Sequence, residues 1–321
     1  MPLGGGEREE RIRGGILGML VGDALGVPYE FHDPANLPPR EQLEMVPPEN
    51  FRRAHHGTPP GTWSDDGAQA LCLLASLLHN DGLDVGDLGR RFVDWYHHGY
   101  MAVDKRVFDI GNATSAALIR IEQGWDPAHA GGTDEQSNGN GALMRVLPLA
   151  LWHQGSDGDL VDDAQAQARV THGHERSQVC CALYCLWARR VLAGEPLDAA
   201  WDDATAKLAR LYRRRWRGQP RYLAELEETI LPYPEHHTPS GTGYVLDALF
   251  SARVALREPS YEGCVKAAIA FGLDTDTTAC IAGGIAGLRA GSRGIPVRWV
   301  SGLRGIGVVE ELFSVWGVSS G

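Results

Sequence analysis

Two rows of glycines recur at four-residue spacing. Gly14, Gly18, Gly22 and Gly26 lie near the start of the chain, and Gly283, Gly287 and Gly291 near its end. That spacing places each row on one helix face. Glycine inside a helix costs about 1 kcal/mol relative to Ala, so a row of them marks a face that another backbone approaches closely. The plain reading is tight helix packing. Both rows also lie beside acidic motifs, so the packing is expected to bring those motifs together.

Helical periodicity dominates the rest of the chain. Ile12, Ile16, Leu17 and Leu20 share a face, as do Leu71, Leu74, Ala75 and Leu78, and Leu88, Phe92 and Trp95. No alternating strand pattern is convincing. The predicted helices are 9–24, 66–80, 86–98, 111–123, 141–152, 160–170, 174–193, 197–215, 221–229, 242–256, 260–271, 276–290 and 308–316. The expectation is an all-α, compact multi-helix bundle. With no linker and no solenoid repeat, residues 1–321 read as a single domain. One segment breaks the pattern: residues 32–60 hold seven of the 18 prolines and little periodicity. A loop of that length between two candidate motifs reads as a lid.

The net charge of −11 argues against a nucleic-acid backbone as main partner. The basic run Arg213-Arg214-Arg215-Trp216-Arg217 reads as the end of a solvated helix. Six cysteines sit among apolar neighbours with no CxxC pair, as expected of buried, reduced thiols in a cytoplasmic protein. Glu7, Glu9 and Glu10 precede the first apolar run and Asp23 interrupts it, unlike a signal peptide. No uncharged apolar run approaches membrane-spanning length.

Two motifs gather acids and hydroxyls at predicted helix starts: Ser64-Asp65-Asp66 in GTWSDDGAQAL, and Asp274, Asp276 and Thr277 in GLDTDTTACIAGG. Helix capping explains one carboxylate in each. Two in each, with hydroxyls, exceed what capping requires. Unpaired buried carboxylates are costly, and a hard cation such as Mg²⁺ or Mn²⁺ takes oxygen ligands. Four Asp with Ser and Thr oxygens form a ligand set for two such ions. In VGDALGVPYEF, Asp23 could cap a helix or be salt-bridged, and Glu30 could swing over a site on the lid, although in isolation each reads as an ordinary surface acid. In SNGNGALMR, residues 138–141 permit turn conformations whose amides could converge on a diphosphate, helped by a helix expected to follow at once. Met144 reads as core. In THGHERSQ, His172 is either a pocket-facing hydrogen-bonding residue or a helix-start histidine. Tyr244, in SGTGYVLDAL, is either core or a stacking surface.

In order and spacing, GDALGVPYEF, GTWSDDGAQAL, NGNGALMR, THGHERSQ, GTGYVLDAL and GLDTDTTACIAGGIAG resemble the ADP-ribosylglycohydrolase family, over roughly residues 11–291. The resemblance implies an orthogonally packed all-α bundle with two divalent ions, Mg²⁺ or Mn²⁺, in a central cleft. Ser64, Asp65 and Asp66 match one metal triad. Asp274, Asp276 and Thr277 match the other, with Asp276 as the bridging ligand. Glu30 matches the acid on a mobile loop. Asn138, Gly139, Asn140 and Gly141 match the loop over the diphosphate, His172 a cleft histidine, and Tyr244 an aromatic near the substrate. Two positions depart from many relatives: Ser64 and Gly67 both stand where Thr is common. The first preserves the hydroxyl; the second loosens the helix start.

The implied reaction is metal-dependent hydrolysis of the bond from the distal ribose of ADP-ribose to an acceptor, protein side chain or small molecule, releasing ADP-ribose. Such bonds break through an oxocarbenium-like transition state, and Glu30, Asp65 or Asp66 could take the proton of the attacking water. Arginine, serine, a nucleobase or a phosphate could be the acceptor. DTDTT also fits the nucleophile motif of haloacid-dehalogenase-like phosphatases. That chemistry needs a downstream Lys, and Lys105, Lys207 and Lys266 all precede Asp276. An ADP-ribose-binding or crystallin-like relative without turnover is the other alternative, opposed by the full set of acids.

Overall fold

The computed structural model describes residues 5–215 and 220–318. Helices run over Gly5–Gly26 (α1), Asp65–Asn80 (α2), Val85–His98 (α3), Asn112–Glu122 (α4), Leu147–Trp152 (α5), Asp157–Arg169 (α6) and Glu175–Leu192 (α7). They continue over Leu197–Arg215 (α8), Pro220–Ala224 (α9), Tyr233–His236 (α10), Val245–Ala255 (α11), Tyr261–Ile269 (α12), Thr275–Ala290 (α13), Val297–Gly302 (α14) and Ile306–Trp316 (α15). Among the described residues there is no strand. Two isolated bridges, Gly132 with His172 and Gly139 with Tyr244, are the nearest approach to a sheet. The all-α expectation holds.

Three helices form the centre. α1 is buried from Ile12 through Gly26, and α13 from Thr275 through Leu288. A helix apolar on every side belongs inside, and the two pack on each other along their length. The glycine rows make this possible. A methyl on Gly18 would stand 2.5 Å from the Gly283 carbonyl oxygen, and one on Gly22 would overlap the Ala279 carbonyl. The third, α7, packs across both: the Tyr184 hydroxyl donates to the Ile281 carbonyl (2.9 Å). All six cysteines are free and buried in this core.

Helix ends shift by a few residues along the chain, and four elements differ more informatively from expectation. The helix expected from 141 begins at Leu147. Residues 141–145 form turns in which the Leu143 and Met144 amides both donate to the Asn140 carbonyl, and Pro148 fixes the start of α5. The helix expected over 221–229 changes at Glu225 into a π-helical turn that ends at Ile230. Two short helices, α10 and α14, escaped periodicity because each is under seven residues and follows a proline. Of the basic run, Arg213–Arg215 end α8, and Arg213 pairs with Glu227. Trp216 and Arg217 lie outside the described residues.

The Pro-rich segment is fastened over part of its length. Glu44 accepts from Trp299 Nε1 (2.6 Å), Arg298 Nη2 (2.9 Å) and Lys266 Nζ (3.1 Å), and Arg40 pairs with Glu258 (2.8 Å). Burial raises the Glu44 carboxyl, but hydrogen bonds from Arg298, Trp299 and Lys266 prevail and hold it down at about 2. Leu43 is buried in the core. Residues 40–45 are thereby tied to α12 and α14, and only the two ends of the segment return toward the acidic motifs.

Candidate active site

The starts of α2 and α13 meet where α1 ends. The fit is backbone to backbone: a methyl on Gly26 would lie 2.6 Å from the Asp276 amide nitrogen, and the Thr275 hydroxyl donates to the Gly26 carbonyl (2.8 Å). Between these ends opens a cleft of about 440 Å³. Its walls include the acids Glu30, Asp65, Asp66, Asp109, Asp274 and Asp276 with Thr277, and also Gly139, Asn140, Gly141 and His172.

The two acidic motifs do come together. Thr277 Oγ1 donates to Asp66 Oδ2 (3.3 Å), and the Ser64 hydroxyl donates to the same oxygen (3.0 Å). Asp274 Oδ2 accepts from Asn140 Nδ2 (2.8 Å), and Asp276 Oδ1 from the Thr277 amide (2.9 Å). Ligand oxygens of Glu30, Asp274 and Asp276 lie within 4.8 Å of one another. Asp66 Oδ1 is buried with no hydrogen-bond partner. No Lys or Arg among the described residues forms an ion pair with any of these acids. Burial and then neighbouring carboxylates push Asp65, Asp66 and Asp276 well above the ordinary range, and burial raises Asp274.

Asp23 and Glu30 are not surface acids. Asp23 is fully buried and supplements the Ser64 cap of α2, whose hydroxyl accepts from the Asp66 amide (3.2 Å). Asp23 itself accepts from the Ser64 amide (2.9 Å) and the Gly67 amide (2.8 Å). Gly67 is required here: a side chain would place Cβ 2.9 Å from Asp23 Oδ2 and 2.7 Å from Leu20 Cδ2. The glycine therefore tightens this helix start rather than loosening it. Glu30 is buried, and burial with the charges of Asp109, Asp274, Asp65 and Asp23 lifts its carboxyl to about 10. Its place is fixed by Phe31 and Leu273, two non-glycine residues in the left-handed region (φ 62° and 57°). The Phe31 amide donates to the Leu273 carbonyl (2.6 Å) and the Leu273 amide to the His32 carbonyl (2.7 Å). Such backbone costs of order 1–3 kcal/mol per residue and concentrates at functional sites.

The 138–141 loop divides its labour. Gly139, Asn140 and Gly141 line the cleft. Asn138 is buried behind them, accepting from the Ser177 hydroxyl (3.1 Å) and donating to the Glu135 carbonyl (3.0 Å). Because α5 begins only at Leu147, the helix expected to follow this loop at once does not start there; the start of α11 packs against it instead, with the Val245 amide donating to the Asn138 carbonyl (3.0 Å). His172 faces the cleft: a methyl on Gly141 would touch its ring at 2.8 Å. Burial, with Arg145 nearby, holds His172 down at about 3, so it is neutral. Met144 is both core and cleft wall. The ring of Tyr244 turns away. Its hydroxyl accepts from Arg176 Nη1 (3.0 Å) and it packs on Tyr233 in a neighbouring pocket; only its backbone bridges to Gly139.

Three residues at the site carried no signal that was read. His55 Nε2 meets Glu30 Oε2 at 2.6 Å, and Asp109 completes a cluster with both. The His55 ring packs edge-on against Phe108 (5.0 Å). Arg145 is fully buried under the cleft, stacked on Phe92 (4.5 Å) and donating to Gln69 Oε1 (2.8 Å), whose amide in turn donates to Asp65 Oδ2 (3.2 Å). Its charge thus reaches the acids through one amide.

An all-α fold with paired acidic helix starts facing a glycine-rich loop defines a class, and the comparisons agree. The model of the ADP-ribosylglycohydrolase family matches residues 5–319, and the chain belongs to that family: it is an ADP-ribosyl hydrolase. It is 30% identical to an ADP-ribosylarginine hydrolase, Tri1, of Pseudomonas putida, over 91% of this chain and 73% of that protein. It is 29% identical to the ADP-ribosyl-[dinitrogen reductase] glycohydrolase of Rhodospirillum rubrum, over 92% and 90%. A solved structure titled ADP-ribosylglycohydrolase-related protein complex superimposes with TM-score 0.71 at 32% identity, covering 97% of each chain. Among the described residues no helix is long and apolar enough to cross a membrane.

Proposed function

We propose that this single-domain chain is a divalent-metal-dependent hydrolase that cleaves the bond between the distal ribose of ADP-ribose and an arginine side chain. The observation that carries the metal is the buried, unpaired Asp66 Oδ1 amid carboxylates with which no Lys or Arg among the described residues forms an ion pair. The donor set suits hard cations: Ser64, Asp65, Asp66, Asp274, Asp276 and Thr277 offer only oxygens, enough for two ions of the Mg²⁺ or Mn²⁺ type. Bound there, the metal would lower the pKa of a water and polarise ribose hydroxyls.

The protein's own groups do the rest. Gly139–Gly141 and His172 line the cleft, where backbone amides and a neutral imidazole suit a diphosphate. Asn140 steadies Asp274. Glu30, with one oxygen held by His55 and the other making no hydrogen bond among the described residues, is placed to pass a proton between water and the departing acceptor; Asp65 and Asp66 are the other carboxylates within reach of that role. The arginine acceptor rests on the cleft mouth. Asp109 stands there beside Phe31, which is 69% exposed, and an acid with an exposed ring suits a guanidinium. Relatives named for ADP-ribosylarginine point the same way.

The test is a panel of arginine-, serine- and phosphate-linked ADP-ribosyl substrates assayed after chelation and after return of Mg²⁺ or Mn²⁺. Arginine-linked turnover that vanishes on chelation and returns with metal is expected. Full activity in metal-free protein would remove the metal from the reading, and preference for a serine linkage would remove arginine.

A further inference from the structure

We propose that an open groove beside the cleft docks the polypeptide that flanks the modified arginine of an ADP-ribosylated protein substrate. The inference rests on the reading of the cleft as the ADP-ribosyl site. The groove is lined by Tyr96, His97, Val107, Phe108, Asp109 and Ile110, with a volume of about 590 Å³. It is continuous with the cleft: Asp109 and Ile110 line both. A chain leaving the acceptor atom beside Asp109 therefore meets Phe108 and Val107 next, and then the Tyr96–His97 pair.

The walls are built. His97 is held by Glu122 (2.7 Å) and meets the Tyr96 ring edge-on (5.0 Å). The opposite wall is carried by the 99–111 connection, where Met101, Asp104 and Lys105 all take positive φ. That backbone is fastened by Trp63 Nε1 donating to the Met101 carbonyl (3.0 Å) and Arg106 donating to the Gly57 carbonyl (2.8 Å). Trp63 directly precedes the Ser64-Asp65-Asp66 start of α2, so the groove wall and the acidic site share one support. Strained, pinned backbone holding a half-buried apolar row beside a reaction cleft is the arrangement expected of a recognition surface. No Lys or Arg lines the groove, and Asp109 and the nearby Glu122 give it negative character. That suits the basic or neutral sequence around an arginine. Tyr96 is the exposed anchor, of the amphipathic kind that dominates contact energy in such surfaces.

The experiment compares kcat/KM for ADP-ribosylated free arginine with that for an ADP-ribosylated arginine-containing peptide, both with Mg²⁺. Wild-type protein is expected to favour the peptide by about tenfold or more. Tyr96→Ala should lower the peptide value by about tenfold, the usual size of an anchor truncation, while the free conjugate stays within about twofold; Tyr96→Phe should retain most of the preference. Val107→Ser is the second variant, with the same expectation, should Tyr96→Ala melt early. Equal kcat/KM for both substrates in the wild type, or a parallel loss on both in the variants, overturns the groove alone. Failure of wild-type protein to hydrolyse even free ADP-ribosylarginine overturns the reading of the cleft, and the groove with it.

Discussion

Gly18→Ala tests the contact on which the site is built. The added carbon would lie 2.5 Å from Gly283 O, 3.0 Å from Tyr261 Cε2 and 3.1 Å from Gly287 Cα. Ordinary contact begins at 3.4 Å, so α1 and α13 must separate by roughly 0.9 Å (3.4 − 2.5). Two of the three obstacles are backbone and cannot rotate aside. The third, Tyr261, donates its hydroxyl to the Gly18 carbonyl (2.7 Å), and that bond would be strained too. Alanine gains about 1 kcal/mol of helix propensity. Overpacking costs about 1–3 kcal/mol, and more where the core cannot give; a weakened buried hydrogen bond adds about 1 kcal/mol. The net is a loss of about 1–3 kcal/mol, a fall of several degrees in Tm. Activity should fall further than stability alone implies. Asp276 lies two turns before Gly283 on α13, and a misplacement of about 1 Å can cost about 10²-fold. Gly6→Ala, on the same helix with nothing within 4 Å of the added carbon, is the control and should leave Tm unchanged or slightly higher. Paired thermal melts and ADP-ribosylarginine hydrolysis read both effects. A Gly18→Ala protein as stable and active as wild type would show that the glycine row does not set the helix spacing.

Three further outcomes follow from the charges. Asp276→Asn should abolish most activity, leave the metal-free Tm unchanged or raised, and weaken the stabilisation that Mg²⁺ or Mn²⁺ confers; normal turnover would contradict its role as a ligand. Glu30→Gln should cut turnover by about 10²-fold while ADP-ribose binds within a few-fold of wild type by calorimetry; collapse of binding with intact single-turnover chemistry would make Glu30 a binding contact. Burial lifts Asp23 from 3.8 to about 7 against the pull of the Ser64 and Gly67 amides. A carboxyl whose folded pKa is raised contributes stability that is fully present below about 3.8 and is lost as pH rises from there through about 7. Chelator-treated protein should therefore melt lower at pH 8 than at pH 5, and a higher Tm at pH 8 would refute the assignment.

What could be read in advance was what depends on spacing. The glycine rows gave the central helix pair, and the two acidic motifs gave the facing carboxylates, because both signals are local and periodic. For Asp23 the sequence leaves a capping role open but favours a surface position, because its partners, the Ser64 and Gly67 amides, are more than 40 residues away in sequence, and an isolated acid in an apolar run carries no mark of them. Asp109 and His55 sit in aperiodic connections whose course is set by left-handed residues and by tertiary hydrogen bonds. Arg145 lies in a quoted motif, yet its burial depends on Gln69, Gln167 and Phe92. Tyr244 follows two glycines in a motif that suggested a substrate contact; the Arg176 guanidinium, from α7, draws its hydroxyl elsewhere.

The acids of the cleft outnumber anything the fold supplies to balance them. Their built-in compensation consists of the positive ends of α2 and α13, the His55 ring against Glu30, hydrogen bonds from Asn140, Thr277, Ser64 and Gly67, and the Arg145 charge relayed through Gln69. Among the described residues none of these pairs a carboxylate directly with a Lys or Arg, and each buried carboxylate left ionised without such a partner is expensive. Without a cation, burial and the neighbouring carboxylates push Asp65, Asp66 and Asp276 toward the protonated form, and Asp66 Oδ1 has no hydrogen-bond partner. Deprotonation and cation uptake are therefore one coupled step. Binding should release protons, and apparent metal affinity should rise with pH. The same ligation that completes the site should also tighten the junction of α1, α2 and α13. Metal titrations at pH 6 and pH 8 in buffers of differing ionisation enthalpy would count the protons released, and release of none would mean that the carboxylates are already ionised in the metal-free protein.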